Sequence, residues 1–399
     1  MFDSILAPLD NWLNRVTMYR LVIYYLCALV GVAVLLSWRG TLHYPTTDLL
    51  GSTVVAVVTC WVINALFSYA FESPLNHDSA VITGLILALI VGPAHLQSEY
   101  VFLAWAATLA MASKYILARH HVHLFNPAAI ALVATGLFAG QSASWWIGTA
   151  SLTPFVIGGG LVLVRKLQRG DLVWFFVWTA LFFSLVWSSL AGVPFEQGMR
   201  QVVLNSPIWF LAFVMLTEPV TLPPTRGLQI AYGIVMGVLV VPQLHVGSFY
   251  LTPELAVVAA NACAYPFRSR QKVRLHLGRA VAVGPGLMDF LYLPTLPLTY
   301  QPGQYMEWTL DHDHADSRGK RRYFTLASSP TEQWLRIGVK FVEGSSTFKR
   351  TLADHSLSGA PIVAAQVAGD FTLPRDPERK LAFIAGGIGI TPFRSMVKY

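Results

Sequence analysis

The chain has 399 residues, 54% hydrophobic and 12% charged, with a net charge of +7. Residues 1–275 carry 14 Lys/Arg and 10 Asp/Glu, whereas residues 276–399 carry 14 and 11 in less than half that length. Such a break in charge density marks two domains. The positive mean hydropathy and long apolar runs place the first part in a bilayer. The basic excess is then loop charge set by membrane topology, and it does not mark a nucleic-acid partner. Cys27, Cys60 and Cys263 all lie in apolar runs. They imply no disulfide framework and no metal site, and three thiols exclude a cluster held by four local thiolates.

Asp3 and Asp10 precede the first apolar run and no small-residue cleavage site follows, which argues against a signal peptide. Phe2, Leu6, Leu9, Leu13 and Val16 recur at helical spacing, predicting an interfacial helix lying on lipid. Ten candidate spans follow: about 20–38, 50–70, 80–94, 99–117, 127–141, 146–164, 172–191, 203–217, 228–245 and 251–266. Pro127, Pro154, Pro207, Pro219 and Pro242 bound or interrupt them, and helices broken at membrane depth usually line a cavity. With the N-terminus inside, the inner loops and flanks hold Arg15, Arg20, Lys114, Arg119, Arg165, Lys166, Arg169, Arg226, Arg268, Arg270, Lys272 and Arg274. The outer loops hold Arg39 and Arg200. This asymmetry predicts a multi-pass protein of a bacterial-type inner membrane, with the N-terminus and the tail after Arg274 in the cytoplasm.

His43, His77, His95, His120, His121, His123 and His245 sit near span ends or in loops. Haem ligands stacked across a bilayer need two His about four turns apart in a span, and no span has them. The Arg119–His123 cluster reads as an interfacial anchor; quinone headgroup, lipid phosphate and metal are its alternatives. Three segments stand out: Asp78-Ser-Ala-Val-Ile-Thr-Gly84, His123-Leu-Phe-Asn-Pro-Ala-Ala129 and Thr217-Glu-Pro-Val-Thr-Leu-Pro-Pro-Thr225. Locally each could be a helix end, since Asn caps free amides and Pro suits a first turn. In this order, the segments resemble the membrane subunits B of the sodium-pumping NADH:quinone reductase and D of the Rnf complex. In that family a threonine of a Ser/Thr-Gly-Ala-Thr motif carries FMN. The matching place here is Ile147-Gly-Thr-Ala-Ser-Leu152, with Thr149 as a displaced acceptor and Thr153 further away. Glu218 and Glu254 are the acidic residues nearest the spans.

Short alternating runs over 276–375, among them Ala280–Val283, Tyr305–Leu310, Leu335–Phe341 and Pro361–Val367, predict a small antiparallel β-barrel. Pro302-Gly-Gln-Tyr305, Arg322-Tyr-Phe-Thr-Leu-Ala-Ser328 and Gly344-Ser-Ser-Thr347 follow one another here. Together they resemble the flavin domain of ferredoxin-NADP reductases. The resemblance implies FAD, bound by Tyr305, Arg322, Phe324, Thr325, Ser328, Gly344, Ser345, Ser346 and Thr347. Arg322 and the 344–347 turn would hold the pyrophosphate, Phe324 would place a ring on the flavin, and the Thr325 hydroxyl would reach N5 as the catalytic group.

Gly369-Asp-Phe371 then resembles a bridge to a nicotinamide domain. Lys380–Ala385 reads as a parallel strand, and Gly386, Gly387, Gly389, Thr391 and Pro392 as the phosphate loop and helix start of an NAD(P) site. Seven residues follow Pro392, too few for the remaining strands of such a domain, so the sequence reads as ending early in it. The expected architecture is an α-helical polytopic membrane domain over 1–275, a flavin barrel over 276–375, and the first strand, loop and helix of an α/β nucleotide domain over 376–399. The function expected from the resemblances is electron transfer from NAD(P)H through FAD to a membrane acceptor, a quinone or bound FMN. Lipid and other electron-transport subunits are the implied partners. An ion- or substrate-translocating protein with a redox-sensing flavin domain, and a non-catalytic subunit, are the alternatives.

Overall fold

A computed structural model describes residues 2–13, 15–72, 75–119, 122–241, 245–246, 249–267, 273–312, 315–316, 319–355, 361–374, 376 and 378–399. The expectations placed on His120, His121, Pro242, Arg268, Arg270 and Lys272 lie outside these residues. The chain forms two compact units, one of 1–223 with 227–268 and one of 224–226 with 269–399.

The first unit is helical: α1 (Phe2–Leu13), α2 (Met18–Trp38), α3 (Thr46–Ala70), α4 (His77–Ile90), α5 (Gln97–Ile116), α6 (Pro127–Ala139), α7 (Thr153–Leu167), α8 (Gly170–Leu190), α9 (Phe195–Leu204), α10 (Ile208–Phe210), a π-turn over Leu211–Met215, α11 (Arg226–Leu239) and α12 (Pro253–Ala264). Three of them, α2, α3 and α8, are long and apolar enough to cross a membrane; α4, α6 and α11 are shorter apolar helices. Caps mark the starts. Thr17, Asn76, Asn126 and Thr252 each accept the amide of the residue three further on, at 3.1 to 3.4 Å, satisfying donors that a helix start leaves open.

Two predicted spans are corrected. The run 203–217 is not one helix: α9 ends at Leu204 and a new start follows Pro207, because proline supplies no amide to continue the ladder. The run from 146 becomes helical only at Thr153. Before it, Trp145 is held at φ 51° and Gly148 lies so close to Ser206 that a Cβ would sit 2.7 Å from its carbonyl carbon.

Glycines set the closest helix approaches. A Cβ at Gly84 of α4 would stand 2.6 Å from Cα of Val57 on α3, and one at Gly233 of α11 would stand 2.6 Å from the Leu172 carbonyl oxygen of α8. Polar contacts sort the helix ends into two sets. Lys114 reaches Ser79 and Thr83, His123 reaches Glu218, Asn126 reaches Asn261, and Arg119 reaches Tyr265. At the opposite ends Ala94 meets Ser52, Trp146 meets Ala88, Trp145 meets Glu254, and Ala150 meets Asn205.

The second unit is a six-stranded antiparallel sheet: β1 (Val273–Gly284), β2 (Leu287–Pro294), β3 (Tyr305–Thr309), β4 (Arg321–Thr325), β5 (Leu335–Lys340) and β6 (Ile362–Ala368), in the order β4-β3-β6-β1-β2-β5. The segment expected to be a β-barrel is seen as this antiparallel sheet. Beyond β4, the Ala327 amide donates to the Arg336 carbonyl of the other edge strand at 2.8 Å. Alternation along the strands buries Phe290, Tyr292, Met306, Trp308, Ile337 and Val339 beneath α13 (Thr347–His355), which adds Phe348 and Leu352. The expected strand Lys380–Ala385 does not form. Its residues are exposed and pair with no described strand, and an extended segment without a partner leaves its ladder groups to water. A 3₁₀ turn over Gly387–Gly389 leads into α14 (Ile390–Val397).

Replacing Gly84 by Leu drives a side chain into the α3 backbone and is expected to destabilise the helical unit by about 2 kcal/mol. The same change at Gly31, which has open space around it, is the control. Thermal midpoints in detergent measure both, and equal midpoints would contradict the close packing.

Candidate functional site

The turn Pro302-Gly303-Gln304 aims the sheet edge. Gly303 has φ 96°, and a Cβ there would collide with the Phe371 carbonyl, so the turn demands glycine. Gln304 folds inward: its carboxamide accepts from the Gln301 amide at 2.8 Å and donates to the Gly369 carbonyl at 3.1 Å. This ties the start of β3 to the end of β6. Tyr305 then lies opposite Thr325 in the β3–β4 ladder.

The pleat of β4 divides the expected signature between two faces. Arg322 and Phe324 point toward α13: the Arg322 guanidinium lies 5.4 Å from the Phe348 ring centre, and Phe324 packs on Phe348 at 5.8 Å and edge-on to Trp308 at 6.2 Å. Thr325 points the other way, beside Tyr305 and Tyr323, whose rings meet edge to face at 5.7 Å. Among the described residues the half-buried Thr325 hydroxyl has no hydrogen-bond partner, whereas the Tyr323 hydroxyl donates to Glu307 at 2.9 Å. The aromatic surface on the Thr325 face is therefore Tyr305 and Tyr323. The family resemblance singled out Phe324, and the two-residue alternation of the strand puts Tyr323 on the Thr325 side instead.

Arg322 is heavily engaged. Nη2 donates to Asp316 Oδ1 at 3.0 Å, and Nη1 to the carbonyls of Gly319 and Arg321 at 2.9 and 2.6 Å. The Asp316 amide in turn donates to Thr347 Oγ1 at 3.0 Å, and His312 Nε2 meets the same hydroxyl at 3.1 Å. The 344–347 segment is a turn and a cap. Gly344 has φ 73°, the Ser345 hydroxyl closes on Val342, and buried Ser346 accepts the Lys349 amide at 3.4 Å. The structure thus brings together Arg322, Thr347 and the start of α13, while the Ser345 and Ser346 side chains serve the turn.

Ser328 is wholly buried. Its hydroxyl accepts the Arg336 amide at 3.0 Å and meets the Tyr300 hydroxyl at 2.9 Å, so it secures the exit of β4. Helix α14 grips the same exit. Arg394 donates to Glu332 through both terminal nitrogens, at 2.8 and 2.9 Å, and to the Ala327 carbonyl at 2.6 Å, and the Ser395 hydroxyl donates to the Ser328 carbonyl. Glu332 also accepts the Ser329 amide at 2.7 Å. The Arg394 guanidinium pulls the Glu332 carboxyl down to about 2. The glycine turn itself, Gly386, Gly387 and Gly389, is exposed. Thr391 follows it with its hydroxyl on the Ile388 carbonyl at 3.1 Å, and Pro392 stands in the first turn of α14. Arg394, Glu332 and Tyr300 carried no sequence signal, since their pairing joins positions far apart in the chain.

In the helical unit, the three motif segments converge. Glu218 accepts from Asn126 Nδ2 at 2.9 Å, meets His123 Nε2 at 3.1 Å and accepts from the Thr221 hydroxyl at 3.4 Å. Lys114 Nζ donates to the Ser79 hydroxyl and carbonyl and to Thr83 at 2.9 to 3.0 Å. The Asn126 amide donates to Asn261 Oδ1, and Asn261 donates to the Tyr232 hydroxyl, both at 2.8 Å. Glu254 lies elsewhere, buried and accepting the Trp145 indole N–H at 2.9 Å. Thr149 is half-buried with its hydroxyl 3.5 Å from that of Ser151, and its carbonyl starts α7.

A model of the NQR2, RnfD, RnfE family matches residues 132–272. A flavohemoprotein of Halalkalibacterium halodurans is 35% identical over 106 residues, covering 25% of each chain. Flavohemoprotein B of Dictyostelium discoideum is 33% identical over 111 residues, 25% of this chain and 26% of that protein. The helical part resembles the NQR2, RnfD, RnfE family, and the C-terminal part resembles flavohemoproteins. The chain spans about a quarter of the length of these curated relatives. The flavohem-like FAD/NAD-binding domain of nitric oxide dioxygenase from Vibrio cholerae overlaps 32% of this chain and 55% of its own at 23% identity, with a TM-score of 0.29, too loose a match to argue from.

Because pairing with Arg394 lowers the Glu332 carboxyl from 4.5 to about 2, its contribution to stability is present above pH 4.5 and is lost as pH falls toward 2. Arg394→Ala is expected to cost about 1 kcal/mol at neutral pH. The gap from wild type, measured by thermal melts, should close across that acid window; a pH-independent gap would mean that packing, and not the ion pair, is what Arg394 supplies.

Proposed function

We propose that this chain carries the membrane and flavin parts of an FAD-dependent NAD(P)H oxidoreductase that delivers electrons to a membrane acceptor, a quinone or a bound FMN. The observation that carries the reading is β4: Arg322 stands at the N-terminal end of α13, and Thr325 turns a hydroxyl that is unpaired among the described residues to the face of Tyr305 and Tyr323. Free amides at a helix start together with a guanidinium suit a pyrophosphate. When bound, the flavin would accept a hydride and pass on its electrons singly. Thr325 would offer its hydroxyl to flavin N5, Tyr305 or Tyr323 would cover the ring, and Arg322 would hold the phosphates. Gly386, Gly387, Gly389, Thr391 and Pro392 would approach the dinucleotide of the electron donor. The division at about 275 and 375 belongs to the same reading, as do lipid and other electron-transport subunits as partners.

The expected orientation puts the N-terminus and the flavin part in the cytoplasm of an inner membrane. It is supported by the two sets of helix ends, since the residues joined in each set are those that ten alternating spans would bring to one side. Thr149 would be the acceptor if FMN is attached to this chain.

The flavin reading predicts that Arg322→Ala lowers FAD affinity about tenfold or more, measured by flavin released on dialysis. Thr325→Val should keep the flavin but slow its reduction by a small hydride donor such as borohydride about ten- to a hundredfold in stopped flow. Unchanged flavin content in the first variant would remove the site assignment.

A second reading, ion or substrate translocation with a redox-sensing flavin domain, is favoured by one observation: Glu218, His123 and Lys114 gather charge within a largely apolar unit, and such groups mark transport paths. Glu218→Gln in sealed vesicles separates the two readings. Loss of ion uptake with electron flow intact would support translocation, and unaltered uptake would leave electron transfer alone.

A further inference from the structure

The anion-binding groups of the candidate flavin site are already engaged by the protein's own carboxylate. Asp316 accepts from Arg322 Nη2 at 3.0 Å while its amide donates to Thr347, the first residue of α13. Both side chains of the ion pair are largely covered, at 17% and 22% exposure. A carboxylate is a competent stand-in for a phosphate oxygen: it carries negative charge, accepts from guanidinium, and is favoured at a helix N-terminus. The other terminal nitrogen of Arg322 is spent on two carbonyls, so a pyrophosphate meets a guanidinium with three of its five donors already engaged.

We propose that Asp316 is a tethered competitor for the flavin pyrophosphate, holding Arg322 and the start of α13 until a phosphate displaces it. The inference rests on the flavin reading above. Its consequence is selective: Asp316 weakens ligands that bring phosphate to Arg322 and leaves the flavin ring contacts at Thr325 untouched. Displacement also frees a carboxylate beside the incoming phosphates. The penalty therefore grows with phosphate charge, from riboflavin to FMN to FAD.

The test uses the full chain in detergent, stripped of flavin, with FAD, FMN and riboflavin titrated by fluorescence quenching. Asp316→Asn is expected to tighten FAD about three- to tenfold and to leave riboflavin unchanged. Asp316→Ser, which removes the charge and the reach, should act in the same direction and serves if the first variant folds poorly. Weaker or equal FAD binding by both variants would overturn the proposal and make Asp316 a residue that positions Arg322. Equal tightening of FAD and riboflavin would overturn it too, since the effect would not be electrostatic. If the wild-type chain binds neither riboflavin nor FAD, the flavin reading itself fails, and that outcome is distinct from the other two.

Discussion

Asn126 shows the constraint on which the helical unit depends: polar groups removed from water must find partners inside the protein. Its side-chain oxygen caps α6, its side-chain nitrogen donates to Glu218, and its backbone amide donates to Asn261. It is 4% exposed. One residue thus joins the start of α6, the segment after the π-turn and the body of α12. Leaving any of these groups unpaired at low dielectric would cost more than an ordinary hydrogen bond contributes. The same requirement explains why Lys114 spends its ammonium group on Ser79 and Thr83, and why the caps of four helices are Thr or Asn.

In the second unit the corresponding constraint is the two-residue alternation of β4. It puts Arg322 against α13 and Thr325 on the opposite face, and the Gly303 turn fixes which residue of β3 each one meets. The exit of the strand is then held from two directions, by Tyr300 on Ser328 and by Arg394 on Glu332. Helix α14, which follows the glycine turn, is thereby bonded to the segment that leaves β4.

Much of this was legible in the sequence because it is local. Apolar runs located the helical segments, and the cap at Asn126 follows from residue type and position. Alternation found β3, β5 and β6. The boundaries that failed did so for non-local reasons. Residues 145–152 are apolar enough for a helix but are held as a loop against Ser206, and Lys380–Ala385 has strand composition but no strand to pair with.

The sequence by itself determined that this protein has an apolar helical part and a charged β part with an ordered set of flavin-type motifs, since periodicity and residue chemistry act over a few residues. Only the tertiary structure decided that three separated motifs meet at Glu218 and Lys114, that Arg322 is paired with Asp316, and that Thr325 shares a strand face with Tyr305 and Tyr323 while Phe324 packs on the other. Those facts depend on which distant segments touch and on which face of a strand each side chain leaves. Neither is a property of any short stretch of chain.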